Sequence, residues 1–325
     1  MPLRVAVQMD RLEGINIAGD STFALMLKAQ ERGHKLYHYL AQDLTYVDGR
    51  LYAGAHEVSV QAVAGDHFHV GEFAILDLGR DVDVVLMRQD PPFDLGYITA
   101  THLLERIQSE TLVVNDPAAV RNAPEKVWVL DFARFMPPTM VTRSLGAARK
   151  FLADHGDIVL KPLHGFAGGS VFRISRDGAN LSALMELFNA TYREPHMLQL
   201  FLPEVAEGDK RIVLVEGEVA GAINRRPGSG EFRSNLAVGG TAEAAQLTDA
   251  EREICEALKP ELKRRGLLFV GIDVIGGKWL TEINVTSPTG IVAIDKFNGT
   301  DTAGLIWDAI EARGRLVSIS SKTVI

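Results

Sequence analysis

The chain has 325 residues, 46% hydrophobic and 23% charged, with a net charge of −8 and a mean hydropathy of +0.05. That length buries a core divided over two or three domains, and an acidic balance without a Lys/Arg block argues against a nucleic-acid backbone as partner. The single cysteine, Cys255, excludes an internal disulfide and fits a reducing cytoplasm; Asp10 and Arg11 interrupt the N-terminal apolar run too early for a secretory signal, and no run is long enough to span a bilayer.

Leu3–Met9 reads as a short buried strand, followed by an amphipathic helix near Ser21–Arg32 with Asp20 or Ser21 as N-cap and Gly33 at its end. Lys35–Tyr39 is a second strand, Asp48-Gly49 turns a small hairpin, and Asp83–Met87 and Thr111–Val114 are further strands on either side of a helix at Tyr97–Gln108. Alternating strands and helices predict an open, mostly parallel sheet, with Met9, Asp10 and Arg88 at its strand ends as candidate site walls. The first strand–helix turn lacks G-x-G-x-x-G, which argues against a dinucleotide site there.

From Asn115 the pattern changes. A helix at Ser144–His155 leads to a strand at Asp157–Leu160, and Lys161 then opens a glycine-rich segment with Gly165, Gly168 and Gly169 before a strand at Val171–Ile174. A lysine at a strand end followed by glycines offers a point charge and unobstructed backbone N–H groups, which together cradle a polyphosphate; a glycine-rich hairpin with a surface lysine is the alternative. After a helix at Leu181–Asn189, the apolar run Met197–Pro203, with Gln199, Leu200, Phe201 and Leu202, could form one wall of a purine pocket, although by itself such a run more often is a buried connecting strand. Strands follow at Ile212–Val215 and Val219–Asn224. The next stretch, with Arg225, Arg226 and Arg233 among many glycines, reads as a mobile loop whose arginines most often just solvate it but can also clamp an anionic substrate on closing.

A helix at Thr248–Arg265 leads into two strand-forming runs flanking Gly276-Gly277. Pairing symmetric about that two-residue turn would set Asp273 opposite Leu280 and diagonal to Glu282, with Glu282 and Asn284 on one face. Oxygen-only donors without His or Cys suit a hard cation such as Mg²⁺ or Mn²⁺; a solvated edge bearing acids against aggregation is the alternative. A last helix is expected near Thr302–Arg313.

In this order the motifs resemble the ATP-grasp ligases, and more closely the prokaryotic glutathione synthetase family. The resemblance runs through Ile15–Ser21, Met87–Asp94, Val113–Pro117, Lys126, Lys161–Leu163, Gly208–Arg211, Ser234–Gly240 and Gly271–Gly290. It implies an α/β (α+β) ATP-grasp fold with an N-terminal open parallel-sheet domain at 1–122, a central lid at 123–200, a catalytic subdomain at 201–316 with a mobile loop at 226–240, and a tail at 317–325. It also implies that Lys126, Lys161, the three loop glycines, Gln199–Leu202 and Asp209 bind ATP, and that Asp273, Glu282 and Asn284 hold two Mg²⁺ or Mn²⁺ ions. Arg211 and Arg225 become the catalytic cations, and Arg88, Arg233, Asn235, Gly239 and Gly240 the substrate-binding residues. The implied reaction joins γ-glutamylcysteine to glycine in a cytoplasmic homo-oligomer, dimer or tetramer, with no membrane or nucleic-acid partner.

Three positions depart from the family pattern: His164 stands where Asp or an aromatic residue is usual, Ala167 replaces a glycine, and Val292 replaces a commonly basic residue. They leave the nucleotide and metal reading intact but leave open a ligase of the same fold acting on another peptide or amino acid; separately, an alternative of a different class is a protein that senses ATP without ligating anything. Asp273→Asn and Glu282→Gln are both expected to lower activity sharply while the fold survives.

Overall fold

The computed structural model describes residues 2–165, 168–235 and 239–322. Aliphatic Val5–Val7 make the centre of β1 (Arg4–Gln8), and the chain then turns into α1 (Ser21–Glu31), where the Asp20 carboxylate accepts from the Phe23 N–H at 2.6 Å. β2 (Lys35–Tyr39), β3 (Leu44–Val47), β4 (Arg50–Val60), β5 (Phe68–Asp77) and β6 (Val84–Met87) follow. Then come α2 (Leu95–Glu105), β7 (Leu112–Val114), α3 (Pro117–Arg121) and a single turn, α4 (Glu125–Trp128). Only β2, β1, β6 and β7 are parallel; β4 runs antiparallel to β2, β3 and β5, completing seven strands. The expected mostly parallel sheet therefore gains an antiparallel wing. Its outer strand, β5, escapes pattern reading because most of it faces solvent: Val70, Phe73 and Ile75 are all exposed.

The second sheet has four strands in the order β10-β9-β11-β8: β8 (Thr139–Thr142), β9 (Ile158–Pro162), β10 (Phe172–Ile174) and β11 (His196–Leu200). Helices α5 (Leu145–His155) and α6 (Leu181–Thr191) cover one face through Phe151, Leu152, Met185 and Phe188. Ala167, one of the family departures, lies outside the described residues, as do positions 236–238 of the arginine loop.

The third sheet has five strands in the order β14-β13-β12-β15-β16. These are β12 (Asp209–Val215), β13 (Glu218–Arg226), β14 (Thr241–Ala244), β15 (Phe269–Ile275) and β16 (Trp279–Asn284), with α7 (Asp249–Arg265) between β14 and β15. Part of the stretch read as loop is thus the edge strand β14, paired with Ile223–Arg226. After β16 come α8 (Ile291–Asn298), which the sequence pattern missed, and α9 (Thr302–Lys322), which continues through most of the expected tail.

The first and third sheets are stitched together. Asn115 at the end of β7 donates to the Phe269 and Val285 carbonyls and accepts from the Phe269 N–H. Trp307 on α9 is fully buried and donates its indole N–H to the Leu25 carbonyl of α1 at 2.8 Å. Among the described residues no helix is long and apolar enough to cross a membrane.

Cys255 packs on α7 beneath the third sheet, and burial pushes its thiol up to about 12. A free thiol ionises near about 8.5, so at pH 8 the buried one carries almost no thiolate, the reactive form. Labelling with a disulfide reagent at pH 8 is therefore expected to be silent in the native protein and to give one equivalent in denaturant; fast native labelling would contradict this packing.

Candidate active site

The site begins with the hairpin β15–β16. Gly276 and Gly277 take positive φ of 60° and 69°, but Ile275 pairs with Trp279, so the connection has three residues rather than the expected two. A bulge between Asp273 and Val274 then adds a second one-residue slip, with Thr281 the extra residue on β16. The two slips sum to a shift of two, which preserves the facing of the side chains. Asp273 therefore stands directly opposite Glu282, not Leu280. The Thr281 hydroxyl donates to the Asp273 carbonyl at 3.1 Å, which holds the bulge in place.

The neighbouring strands answer this acidic pair with cations. Arg211 on β12 is the cross-strand partner of Asp273 and grips it with both Nε and Nη2, at 2.6 and 3.1 Å. Arg225 on β13 places Nη2 2.9 Å from the same carboxylate and Nε 2.6 Å from Asp209, its own cross-strand partner. Arg211, Arg225 and Asp273 are all at most 6% exposed. Burial opposes ionisation of Asp273, but the two guanidiniums outweigh it and hold the carboxyl well below the usual carboxylate range.

Glu282 draws lysines from the other side of a cleft. Lys126 on α4 lies 3.3 Å from Glu282 and donates to the Gly165 carbonyl at 2.7 Å, while Lys161 at the end of β9 lies 3.9 Å from Glu282. Both lysines are buried. Burial pushes Lys161 down to about 8, whereas for Lys126 the attraction of Glu282 and Glu125 outweighs burial and raises it.

These groups line a cleft between the second and third sheets. Lys126, Lys161, Gly165, Gly168 and Gly169 form one end, and Gln199, Leu200, Phe201 and Leu202 form an apolar wall with Val159 and Val205. Asp209, Asp273 and Glu282 also face it, as do Arg233 and Asn235 from the arginine loop. Gly168 takes φ +74° with the Asn235 amide so close that a Cβ would sit 2.8 Å from its oxygen; the glycine segment and the arginine loop thus approach as only glycine allows. Arg233 donates to the Gly168 carbonyl at 3.0 Å and pairs with Glu231 at 2.5 Å, which ties the loop down over the cleft.

A second pocket adjoins the first through Asn235 and Glu282, and is lined by Arg211, Arg225, Asn284 and the Thr286–Gly290 segment. Arg88 lines neither pocket: it lies buried beneath this segment, donating to Thr22 and to the Pro288 carbonyl. Gly239 and Gly240 also line neither, and Arg233 faces the first pocket rather than the second. The residue sequence reasoning missed is Glu125. It lines the second pocket and accepts from the Thr286 hydroxyl at 2.8 Å, and burial pushes its carboxyl up against the pull of Lys126. Its only sequence signal is an acid immediately before Lys126.

The ATP-grasp domain model of prokaryotic glutathione synthetase matches residues 125–299, and the N-terminal domain model of the same family matches residues 3–121. This chain belongs to the prokaryotic glutathione synthetase family. A curated glutathione synthetase from Rhodopseudomonas palustris is 55% identical over 313 residues, covering 96% of this chain and 99% of the relative. One from Agrobacterium fabrum is 53% identical over 309 residues, covering 95% and 96%. Among solved structures, D-cycloserine synthetase DcsG superposes with a TM-score of 0.68 at 18% identity, covering 95% of this chain and 99% of that one, a likeness of fold. The ATP-grasp architecture expected from the motifs is therefore present.

The buried geometry separates two substitutions that the sequence treats alike. Asp273→Asn leaves two guanidiniums, which cannot shed a proton, without their shared carboxylate. Glu282→Gln leaves lysines, and Lys161 already releases its proton near 8. Asp273→Asn is thus expected to lose about 3 kcal/mol of stability, read as a lower urea midpoint, and Glu282→Gln distinctly less. The reverse order would contradict the ion-pair geometry.

Proposed function

We propose that this protein joins γ-glutamylcysteine to glycine with ATP, forming glutathione, ADP and phosphate. The observation that carries the reading is the adjacency of the two pockets, one glycine- and lysine-lined with an apolar wall, the other arginine-lined, meeting at Glu282 and Asn235. A nucleotide held in the first brings its terminal phosphate to the mouth of the second, where Arg211 and Arg225 await a carboxylate.

A carboxylate is a poor electrophile. Its oxygen therefore attacks the γ-phosphorus first: a new O–P bond forms, the bond to the bridging oxygen breaks and ADP leaves. Charge accumulates on phosphate oxygens throughout, so Lys126 and Lys161 act by neutralising it. The amine of glycine then attacks the acyl carbon, loses a proton and expels phosphate. Arg211 and Arg225, held rigid by Asp209 and Asp273, stabilise the tetrahedral oxyanion. Arg233 and Asn235 close the cleft against water, which would hydrolyse the acyl phosphate.

Asp273, Glu282 and Asn284 bring oxygen donors to one face of the hairpin, a donor set that fits Mg²⁺ or Mn²⁺, with two ions being the number the ATP-grasp resemblance implies. Such ions would supply further neutralisation of phosphate charge. The separate sheets support dividing the chain near residues 122 and 200. Exposed Val70, Phe73 and Ile75 on β5 support self-association as a dimer or tetramer, and the single buried thiol is compatible with a cytoplasmic setting.

ADP release is expected to require Mg²⁺, γ-glutamylcysteine and glycine together, measured by a coupled assay with each omitted in turn. Release unchanged without the dipeptide would overturn the reading. Tight ATP binding without turnover would favour an ATP sensor instead.

A further inference from the structure

Among the described residues, two carboxylates of the second pocket, Asp90 and Glu125, stand outside any ion pair, and of these Asp90 is exposed. Asp273 is held by Arg211 and Arg225, Asp209 by Arg225, and Glu282 by Lys126 and Lys161. Glu125 is half-buried, yet among the described residues no cationic group lies within 4.0 Å of it; its hydrogen-bond donor is the Thr286 hydroxyl. The backbone fixes where it points. Pro124 starts α4, its carbonyl accepts from the Val127 and Trp128 N–H groups, and Trp128 is buried. Consecutive residues are thereby shared between the two pockets: Lys126 lines the nucleotide cleft and Glu125 the neighbouring one.

We propose that Glu125 anchors the α-ammonium group of the dipeptide, so that the site selects a carboxylate donor with a free amine at its far end. The inference rests on the reaction proposed above. A half-buried carboxylate with one neutral donor is under-satisfied, and the cations brought by the substrates are ammonium groups. That of glycine must lose its proton to attack, and a fixed carboxylate holding it as ammonium would oppose the reaction. The α-ammonium of the dipeptide takes no part in bond making and suits a permanent ion pair. A γ-linkage leaves this group free, several bonds from the reacting carboxylate, so the anchor also measures the length of the donor.

The test is steady-state kinetics of the full chain, unmodified and as Glu125→Gln, with γ-glutamylcysteine and with its desamino analogue, N-glutarylcysteine. Gln keeps the acceptor for Thr286 and removes only the charge. Loss of a charge-assisted hydrogen bond is expected to raise the dipeptide KM about 10–100-fold. The KM values for glycine and ATP should stay within about twofold, since those ligands lack this contact. The desamino analogue should show the raised KM with the unmodified protein and no further rise with Glu125→Gln, and Glu125→Asp should recover part of the loss. An unchanged dipeptide KM, an equal rise for both donors, or a rise confined to glycine would each overturn the proposal. The comparison of donors on the unmodified chain decides the matter even if the variant folds poorly: equal KM values there overturn it too. An unmodified protein that makes glutathione with equal KM for both donors sinks only this proposal, whereas one that makes none sinks the reaction beneath it.

Discussion

Everything in the cleft depends on one carboxylate shared by two guanidiniums. A site for polyphosphate and carboxylates needs fixed positive charge, but bare arginines at most 6% exposed would carry a large desolvation penalty. Asp273 offsets it from the cross-strand position opposite Arg211, while Asp209 does the same for Arg225, its own cross-strand partner. The ladder therefore sets the spacing of the cations, and the two cations in turn keep Asp273 ionised. Any carboxylate bound between them must share donors with Asp273, so the site is positive without being free.

Around that centre the fold divides the work between elements far apart in the chain. The third sheet supplies the arginines and acids, the second the lysine, glycines and apolar wall, and α4 contributes one residue to each pocket. The first sheet reaches the site indirectly. Arg88 underlies the Thr286–Gly290 segment, donating to the Pro288 carbonyl while its own carbonyl accepts from the Ser287 hydroxyl. Asn115 secures the start of β15 and the residue after β16 in one buried cluster of hydrogen bonds. These contacts make the N-terminal unit a support for the pocket floor, which explains why an arginine that looks like a substrate ligand lies buried below it.

Much of this was legible in the residues. Caps such as Asp20, the Asp48-Gly49 turn and the apolar strand runs marked most elements, because those signals act over a few residues. The lysines, the glycine segment and the acidic hairpin were readable for the same reason: their chemistry is carried by short motifs. The less legible parts were β5 and β14, strands with many exposed positions and therefore no alternation to read, and α8, a short helix between two glycines.

What the chain alone determined is the set of charged groups and the family to which their order belongs. Register, and so pairing, was decided only in three dimensions. A three-residue turn and a bulge each displace the ladder by one, and no local preference reveals that both occur or that their sum brings Glu282 opposite Asp273. Likewise the chain sets Lys126 beside Glu125 without showing that no cation pairs with it, since Arg211, Glu282 and Thr286 in its pocket lie more than 80 positions away. Charge is a property of a side chain, whereas its satisfaction depends on which distant strands the packing brings beside it.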